Sequence, residues 1–440
     1  MSLALNVWMN GMLVGQWSQG SRGVNAFKYD QTWINSEYAR PLSNSIPIIP
    51  SQPIVKGDVV AYYFDNLLPD SAEIRNRIQS KFRTGSIATI ELLQAIGRDC
   101  VGAVQILPIG EEPVDVNQIS STPISDRQVA ELLIANSSGR ILGQELDDDY
   151  FRISIAGAQE KTALLKINGA WHLPHGATPT THILKLPLGL IGGERRFDMT
   201  TSIENEWICA KILEKLDFNV AQTEIATFEG IKALVVKRFD RKWVDNNAWI
   251  ARIPQEDFCQ VFGLPNTKKY EVDGGPGVAQ IMQYLAASQF AEEDRIHFIK
   301  TQFMFWLLAA SDGHAKNFSV SINEGGHFQL TPLYDVLSAW PIIGNHPNQI
   351  PYQKAKLAMA IRTRNAHYNF DEIALRHWQE LTRKLGVPNA FEEMQHLANK
   401  VISKIDSIYE ELPYGFPVGL VDSIKSGVEK HVTRFNTVYL

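Results

Sequence analysis

Ser311-Asp-Gly-His-Ala-Lys-Asn317 follows directly on the densest apolar run of the chain, Phe303-Met-Phe-Trp-Leu-Leu-Ala-Ala310. At 3.6 residues per turn the run covers about two helical turns and reads as a buried helix. An acid, an imidazole and an amide are thereby set on a loop anchored in a core, and loops on rigid scaffolds are where catalytic groups concentrate. Asp335, preceded by Tyr334, comes eighteen residues after Asn317. Between them residues 318–322 and 327–330 flank Glu324-Gly-Gly326 and predict a short hairpin that returns the second acid toward the amide. This set suits phosphoryl transfer from a metal-bound nucleotide. Asp312 could orient a hydroxyl and take its proton, while the Asn317 amide oxygen and the Asp335 carboxylate could hold magnesium against phosphates. Gly313 is expected to let the chain turn sharply after the acid. The same residue types also cap turns, so a structural reading of Asp312, Asn317 and Asp335 stands beside the chemical one. One amide and one carboxylate suit hexacoordinate magnesium better than zinc, and the histidines are scattered along the chain.

A metal-held triphosphate needs a cation and a floor. Lys185 lies in the apolar strand pattern His182-Ile-Leu-Lys-Leu186, where a lysine either serves the site, sits at a sheet edge or snorkels. In the helix predicted next, Ile203, Trp207, Ala210 and Leu213 define the apolar face; Glu206 falls on that side and Glu204 points away. A carboxylate turned toward a core wants a cationic partner, and Lys185 is the nearest candidate for an ion pair that would aim its amine at phosphates. Ser154-Ile-Ala-Gly-Ala-Gln-Glu-Lys-Thr162 joins two predicted strands, and its small residues Ala156, Gly157 and Ala158 would admit an anion to the backbone amides. It follows neither common glycine-rich nucleotide pattern, and a plain hairpin turn is the alternative. Phosphorylation of Ser154 would add about −1.5 to −2 charges where nucleotide phosphates would lie, and so repel them.

The rest of the chain bounds the setting. With 440 residues, 45% of them hydrophobic and 20% charged, it is too long for one ordinary core and too well balanced for disorder. A net charge of −6 supplies no global field for holding DNA. Three widely spaced cysteines, Cys100, Cys209 and Cys259, fit reduced thiols in a cytoplasmic protein, and no window reaches the roughly 20 apolar residues of a membrane span. The alternation of residues 5–17 around Asn10-Gly11 predicts an opening hairpin. Two or three helices follow over residues 58–97, then a strand near 101–108. A helix over 126–135, strands over 151–155, 161–167, 182–186, 221–228 and 231–239, and a helix over 202–216 make a mixed lobe. Beyond Val278 the spacing is helical apart from the hairpin near Glu324. The expected architecture is α+β: an N-terminal subdomain over 1–115, a mixed nucleotide-binding lobe over 116–240 and a mainly helical catalytic lobe over 241–440.

Several ordered motifs resemble those of the HipA family of serine/threonine protein kinases, toxins of bacterial toxin–antitoxin pairs. They are Phe64-Asp-Asn-Leu-Leu-Pro-Asp70, Gly97-Arg-Asp-Cys-Val-Gly-Ala103, Ile155-Ala-Gly-Ala-Gln-Glu-Lys-Thr162, Thr181-His-Ile-Leu-Lys-Leu-Pro187, Arg238-Phe-Asp-Arg241, Asp312-Gly-His-Ala-Lys-Asn-Phe318 and Tyr334-Asp335. The resemblance implies a two-lobed protein-kinase-like fold with an extra N-terminal subdomain, using ATP and Mg2+. It implies Asp312 as catalytic base, Asn317 and Asp335 as magnesium ligands, and Lys185 as the phosphate-binding lysine. Ile155, Ala156, Gly157, Ala158, Lys161, His314 and Tyr334 fall with them in the family's nucleotide site, and Lys237 to Phe239 would line the adenine. Ser154 matches a serine whose autophosphorylation silences the kinase. Lys237 departs from a glutamate expected there, which would weaken nucleotide affinity if that carboxylate held the ribose.

Further implied are a helix-turn-helix antitoxin of the HipB type, operator DNA bound mainly through that antitoxin, and a serine of an aminoacyl-tRNA synthetase as substrate. Sequence alone adds only Lys354, Lys356, Arg362 and Arg364, in a stretch from Val336 to Phe370 without an acid. These cations either touch operator phosphates or form a solvated face. The competing functions are a small-molecule phosphotransferase and a catalytically silent corepressor of a DNA complex.

Overall fold

The computed structural model describes residues 3–138, 159, 161–192 and 196–437. The chain forms two compact units: one of Met1–Leu186, Ala226–Lys268 and Ser319–Phe328, the other of Pro187–Ile225, Lys269–Phe318 and Gln329–Leu440.

The first unit opens with the predicted hairpin. Strands Leu3–Met9 and Met12–Gln19 are joined at Asn10-Gly11, both at positive φ (46° and 84°), as a two-residue turn matching strand twist requires. They lie in a five-stranded sheet with Asn25–Tyr29, Ile54–Lys56 and Val104–Pro108. Helices Asp58–Asp65, Ala72–Phe82 and Thr89–Ile96 supply the other side of the core, where Trp17 stacks on Phe64 with ring centroids 3.9 Å apart. The motif ending in Pro69-Asp70 is a clamp between helices. Asp65 accepts from Arg75 at 2.7 Å and from the Thr89 hydroxyl at 2.6 Å, and Asn66 donates to the Leu264 carbonyl at 2.9 Å.

A six-stranded sheet runs in the order Thr223–Phe228, Ile231–Lys237, His182–Lys185, Lys161–Ile167, Ala170–Pro174, Ser121–Ile124. Its core is Leu164, Trp171, Leu184 and Val235, packed with Val129 and Leu133 of helix Asp126–Ser138. Gly97-Arg-Asp-Cys and Arg238-Phe-Asp-Arg meet in this unit as one buried ionic cluster. Arg238 spans Asp99 at 3.2 Å and Asp240 at 2.8 Å, Arg241 reaches Asp99 at 2.9 Å, and Arg252 reaches it at 3.3 Å. Burial alone would raise the Asp99 carboxyl, but Arg241, Arg238 and Arg252 hold it far below its ordinary range. The surplus positive charge shows at Arg252, which burial pulls down to about 10 despite Asp99.

The second unit is mainly helical. Its long helices are Ser202–Lys215, Ala291–Leu307, Asn389–Ile408 and Val418–Asn436, around a core of Phe303, Trp306, Trp378 and Phe435. The helical expectation beyond Val278 needs one correction. Strands Lys356–Arg362 and Ala366–Asn369 pair, because Leu357 to Ile361 are buried on both faces and show no alternation to mark them. Likewise Glu204 does not point to solvent: the helix is buried all round from Ser202 to Ala210, so a one-stripe reading of its apolar spacing could not sort its two acids. Among the described residues no helix is long and apolar enough to cross a membrane.

Candidate active site

The apolar helix Ala291–Leu307 ends where its last carbonyls are taken up by a neighbouring segment. Ser338 Oγ donates to Leu308 O at 2.6 Å, Trp340 Nε1 to Leu307 O at 2.9 Å, and the Ala339 amide to Ala309 O at 3.0 Å. Asn205 locks the same segment, its side chain exchanging two 2.8 Å bonds with the Ser338 backbone. The chain before Asp312 and the chain after Asp335 are thus tied by directional bonds rather than by apolar contact alone.

Out of this support Asp312 projects, its side chain 62% exposed, whereas Gly313 through Asn317 are buried. The loop is closed on the Asp312 carbonyl. The His314 amide donates to it at 2.8 Å and Asn317 Nδ2 at 2.7 Å. Committing the amide nitrogen leaves Asn317 Oδ1 as an acceptor for a cation. Gly313 stands at the sharp turn expected, the His314 amide returning to the carbonyl two residues back, and glycine is required there for a further reason. It is not at positive φ; a Cβ there would stand 2.3 Å from two ring atoms of Phe305, so the loop lies directly on the helix.

Tyr334 donates its hydroxyl to Lys316 O at 2.9 Å, bringing its segment against the loop, and Asp335 follows in the left-handed region at φ 59°. Such a conformation costs a non-glycine residue about 1–3 kcal/mol and is tolerated where surrounding structure over-determines it. His314 lies within the field of both acids. Burial pulls its imidazole below the ordinary value more than Asp312 and Asp335 raise it, with Lys269 adding to the depression. The ring is therefore neutral near pH 7, and its buried Nδ1 has no protein partner. An uncharged ring with an unsatisfied nitrogen beside two carboxylates fits a polar ligand group. Asn317 and Asp335 are both hard oxygen donors, and among the described residues no cluster of three or more His, Cys, Asp or Glu forms an all-protein metal cage. Two protein ligands with the remainder from water and phosphate is the usual arrangement for Mg2+ at a nucleotide.

Tyr270 went unnoticed in the sequence. Its hydroxyl donates to Asp312 Oδ1, and its ring meets His314 edge-on, centroids 5.0 Å apart. A lone aromatic ahead of Glu271 and the glycine-rich Gly274-Gly-Pro-Gly277 signalled only a loop.

In the first unit, the sheet register sets Lys161 directly opposite Lys185, with Leu234 on Lys185's other side. Opposed residues of antiparallel strands share a face, so the two lysine side chains leave the same side of the sheet, Lys185 buried and Lys161 half-buried. Lys237 ends its strand exposed, opposite His182, and Phe239 is half-buried. Ser154, Ile155, Ala156, Gly157 and Ala158 lie outside the described residues. In the second unit Glu206 is buried. Lys354, Lys356, Arg362 and Arg364 are all exposed around the strand Lys356–Arg362, but Arg362 is held at 2.5 Å by Glu271, an acid supplied from far earlier in the chain.

Residues 153–408 match the HipA-like C-terminal domain and residues 5–107 the HipA N-terminal domain. The chain is 31% identical over 414 residues to the Sinorhizobium fredii kinase-like protein Y4mE, covering 92% of each. It is 25% identical over 431 residues to the serine/threonine-protein kinase toxin HipA of Shewanella oneidensis, covering 94% of this chain and 90% of that one. The solved complex of Shewanella HipA, HipB and operator DNA contains a chain of similar fold, with a TM-score of 0.79 at 22% identity over 98% of this chain and 97% of that one. This chain belongs to the HipA family of serine/threonine protein kinases.

Proposed function

We propose that the chain is a toxin kinase that transfers the γ-phosphoryl group of ATP to a protein serine, with Asp312 as base and Asn317 and Asp335 as Mg2+ ligands. The observation that carries this reading is the loop closed on the Asp312 carbonyl. It leaves the Asp312 carboxylate exposed to an acceptor hydroxyl while turning the Asn317 amide nitrogen inward and freeing its oxygen. Bound magnesium would neutralise charge developing on the transferred group. The chain's own residues then orient the acceptor, take its proton at Asp312 and keep a neutral imidazole at His314 beside the nucleotide. Lys185 and Lys161 are assigned to phosphate oxygens and Glu206 to orienting Lys185. The segment Lys237 to Phe239, with Tyr334, is assigned to the nucleotide. The units of action are taken as 1–115, 116–240 and 241–440.

The acceptor is read as a serine of an aminoacyl-tRNA synthetase, and Ser154 as the site of self-inactivation. Intact mass after incubation with MgATP tests both the transfer and the switch. One added phosphate that requires Asp312 and Ser154, and is lost in Asp312→Ala and Ser154→Ala, is the expected result. An unchanged wild-type mass where nucleotide demonstrably binds would remove autophosphorylation from the scheme. A HipB-like helix-turn-helix antitoxin is the proposed partner on operator DNA, by likeness to the Shewanella protein solved with both. Lys354, Lys356 and Arg364 are the candidate phosphate contacts; Arg362 is the weakest, since DNA would have to displace Glu271. Titrating operator with the antitoxin complex after neutralising Lys354 and Arg364 checks this, and unaltered affinity at low salt rejects it.

A further inference from the structure

The Asp312 carboxylate is largely exposed, and no hydrogen bond from its own loop fixes which oxygen faces an acceptor. The loop's hydrogen bonds end on backbone carbonyls, two of them on that of Asp312, and none reaches its carboxylate. Orientation of the side chain comes instead from a separate segment, residues 269–277. Tyr270 donates its hydroxyl to Oδ1, and His314 Nε2 stands 3.9 Å from that same oxygen. Oδ2 is left for the acceptor.

Tyr270 is itself held from three sides. The preceding residue, Lys269, accepts the Ala315 amide on its carbonyl at 3.0 Å, joining the segment to the loop that carries the base. The following residue, Glu271, has a carboxylate only 10% exposed that takes the Ala360 amide at 2.6 Å and Arg362 at 2.5 Å, bolting the segment to strand Lys356–Arg362. The Tyr270 carbonyl receives the amides of Asp273 at 3.0 Å and Gly275 at 2.9 Å, which closes the segment into a turn on it. A phenol in a random surface loop would not have its two sequence neighbours pinned to two different elements. Hydroxyl-to-carboxylate bonds are charge-assisted and about twice as strong as neutral ones, enough to hold an otherwise exposed carboxylate in one rotamer.

We propose that Tyr270 is a positioning residue for phosphoryl transfer: it occupies Oδ1 of Asp312 and presents Oδ2 to the acceptor hydroxyl, with Glu271 as the anchor that sets the phenol's height. The proposal rests on the reading of Asp312 as the base. Tyr270→Phe keeps the ring, the edge-on contact with His314 and the fold, and removes only the hydroxyl. Transfer from γ-labelled ATP to any acceptor, protein or water, is measured for wild type, Tyr270→Phe, Glu271→Gln and Asp312→Asn. Tyr270→Phe is expected to lower kcat roughly 10-fold or more, the worth of one hydrogen bond to a charged group, with the KM for ATP within about twofold and Tm unchanged. Glu271→Gln, which leaves the phenol but loosens its anchor, should lower kcat about 3-fold, since small misplacement of a catalytic group is costly. A second readout needs no nucleotide: the 13C resonance of the Asp312 carboxylate should move in Tyr270→Phe. Wild-type kcat in Tyr270→Phe beside an inactive Asp312→Asn would overturn the proposal alone, as would an unmoved resonance. An active Asp312→Asn would overturn it together with the assignment of the base.

Discussion

The ionic cluster around Asp99 and the loop around Asp312 hold comparable numbers of charged and polar groups and treat them in opposite ways. In the cluster every charge is buried and directly paired: two carboxylates are shared among three guanidiniums, and Arg238 alone bonds Asp99, Asp240, Thr180 and the Cys100 carbonyl. In the loop the acid is exposed, the imidazole is neutral with an orphaned nitrogen, and the second acid sits on strained backbone. Pairing every charge makes a cluster that can only hold its parts together. An exposed acid beside a neutral ring can still bind something. Both regions carry strongly marked sequence motifs; of the two, the second opens a charged group to solvent.

Substitutions at the two acids separate these roles. Asp312→Asn should cost about 1,000-fold in kcat, within the range for loss of a general base, while changing nucleotide affinity less than about 3-fold and leaving the urea midpoint in place. Asp99→Ala should do the reverse. Three buried arginines would share one carboxylate, a loss of about 3–5 kcal/mol in unfolding free energy, with the fraction that stays folded retaining its kcat. Should Asp99→Ala depress kcat in fully folded protein, the cluster would be acting on the site and the contrast would fail.

Local chemistry decided what was readable beforehand. Asn10-Gly11 announced its hairpin because few other residue pairs take two positive φ values in succession, and helix Ser202–Lys215 and strand Lys161–Ile167 followed from spacing. Strand Lys356–Arg362 did not, because five consecutive buried residues have no period. The loop from Asp312 to Asn317 and Tyr334-Asp335 were found from residue type and order. Tyr270 and the Glu271–Arg362 pair were not, because each depends on residues 42 and 91 positions apart in sequence. The turn at Gly313 was legible but its packing was not, since only the folded chain lays the loop on the ring of Phe305.

That ring offers a test of smaller effect. Gly313→Ala forces a methyl onto a fully packed Phe305, an overpacking worth roughly 1–3 kcal/mol, and any relief must come from moving the loop. A roughly 10-fold loss of kcat is expected with folding retained. Phe305→Leu should recover part of the loss in the double variant, giving a coupling of about 1 kcal/mol or more. Additive effects would mean that the loop does not rest on this helix face.

Glu256 shows that burial without a cation produces a third outcome, titration. Its carboxylate is fully buried, accepting from Ser43 Oγ at 2.5 Å and the Asn44 amide at 2.9 Å, with Asp257 adjacent and no ion pair among the described contacts. Burial pushes it from an ordinary 4.5 to about 8, the two hydrogen bonds pulling back and Asp257 adding to the rise. The folded state therefore binds this proton more tightly than the unfolded one, so the stabilisation is complete below about pH 4.5 and is lost as pH rises through 8. Asp99, depressed by its arginines, has the opposite slope and loses its contribution only in acid. Urea unfolding of wild type and Glu256→Gln at pH 5 and pH 8 isolates the group, because every other titration is common to both proteins. Wild type should weaken relative to Glu256→Gln between the two pH values; a pH-independent difference would mean that the carboxylate is ionised in the folded protein throughout, and that two hydrogen bonds can replace the arginines that Asp99 has.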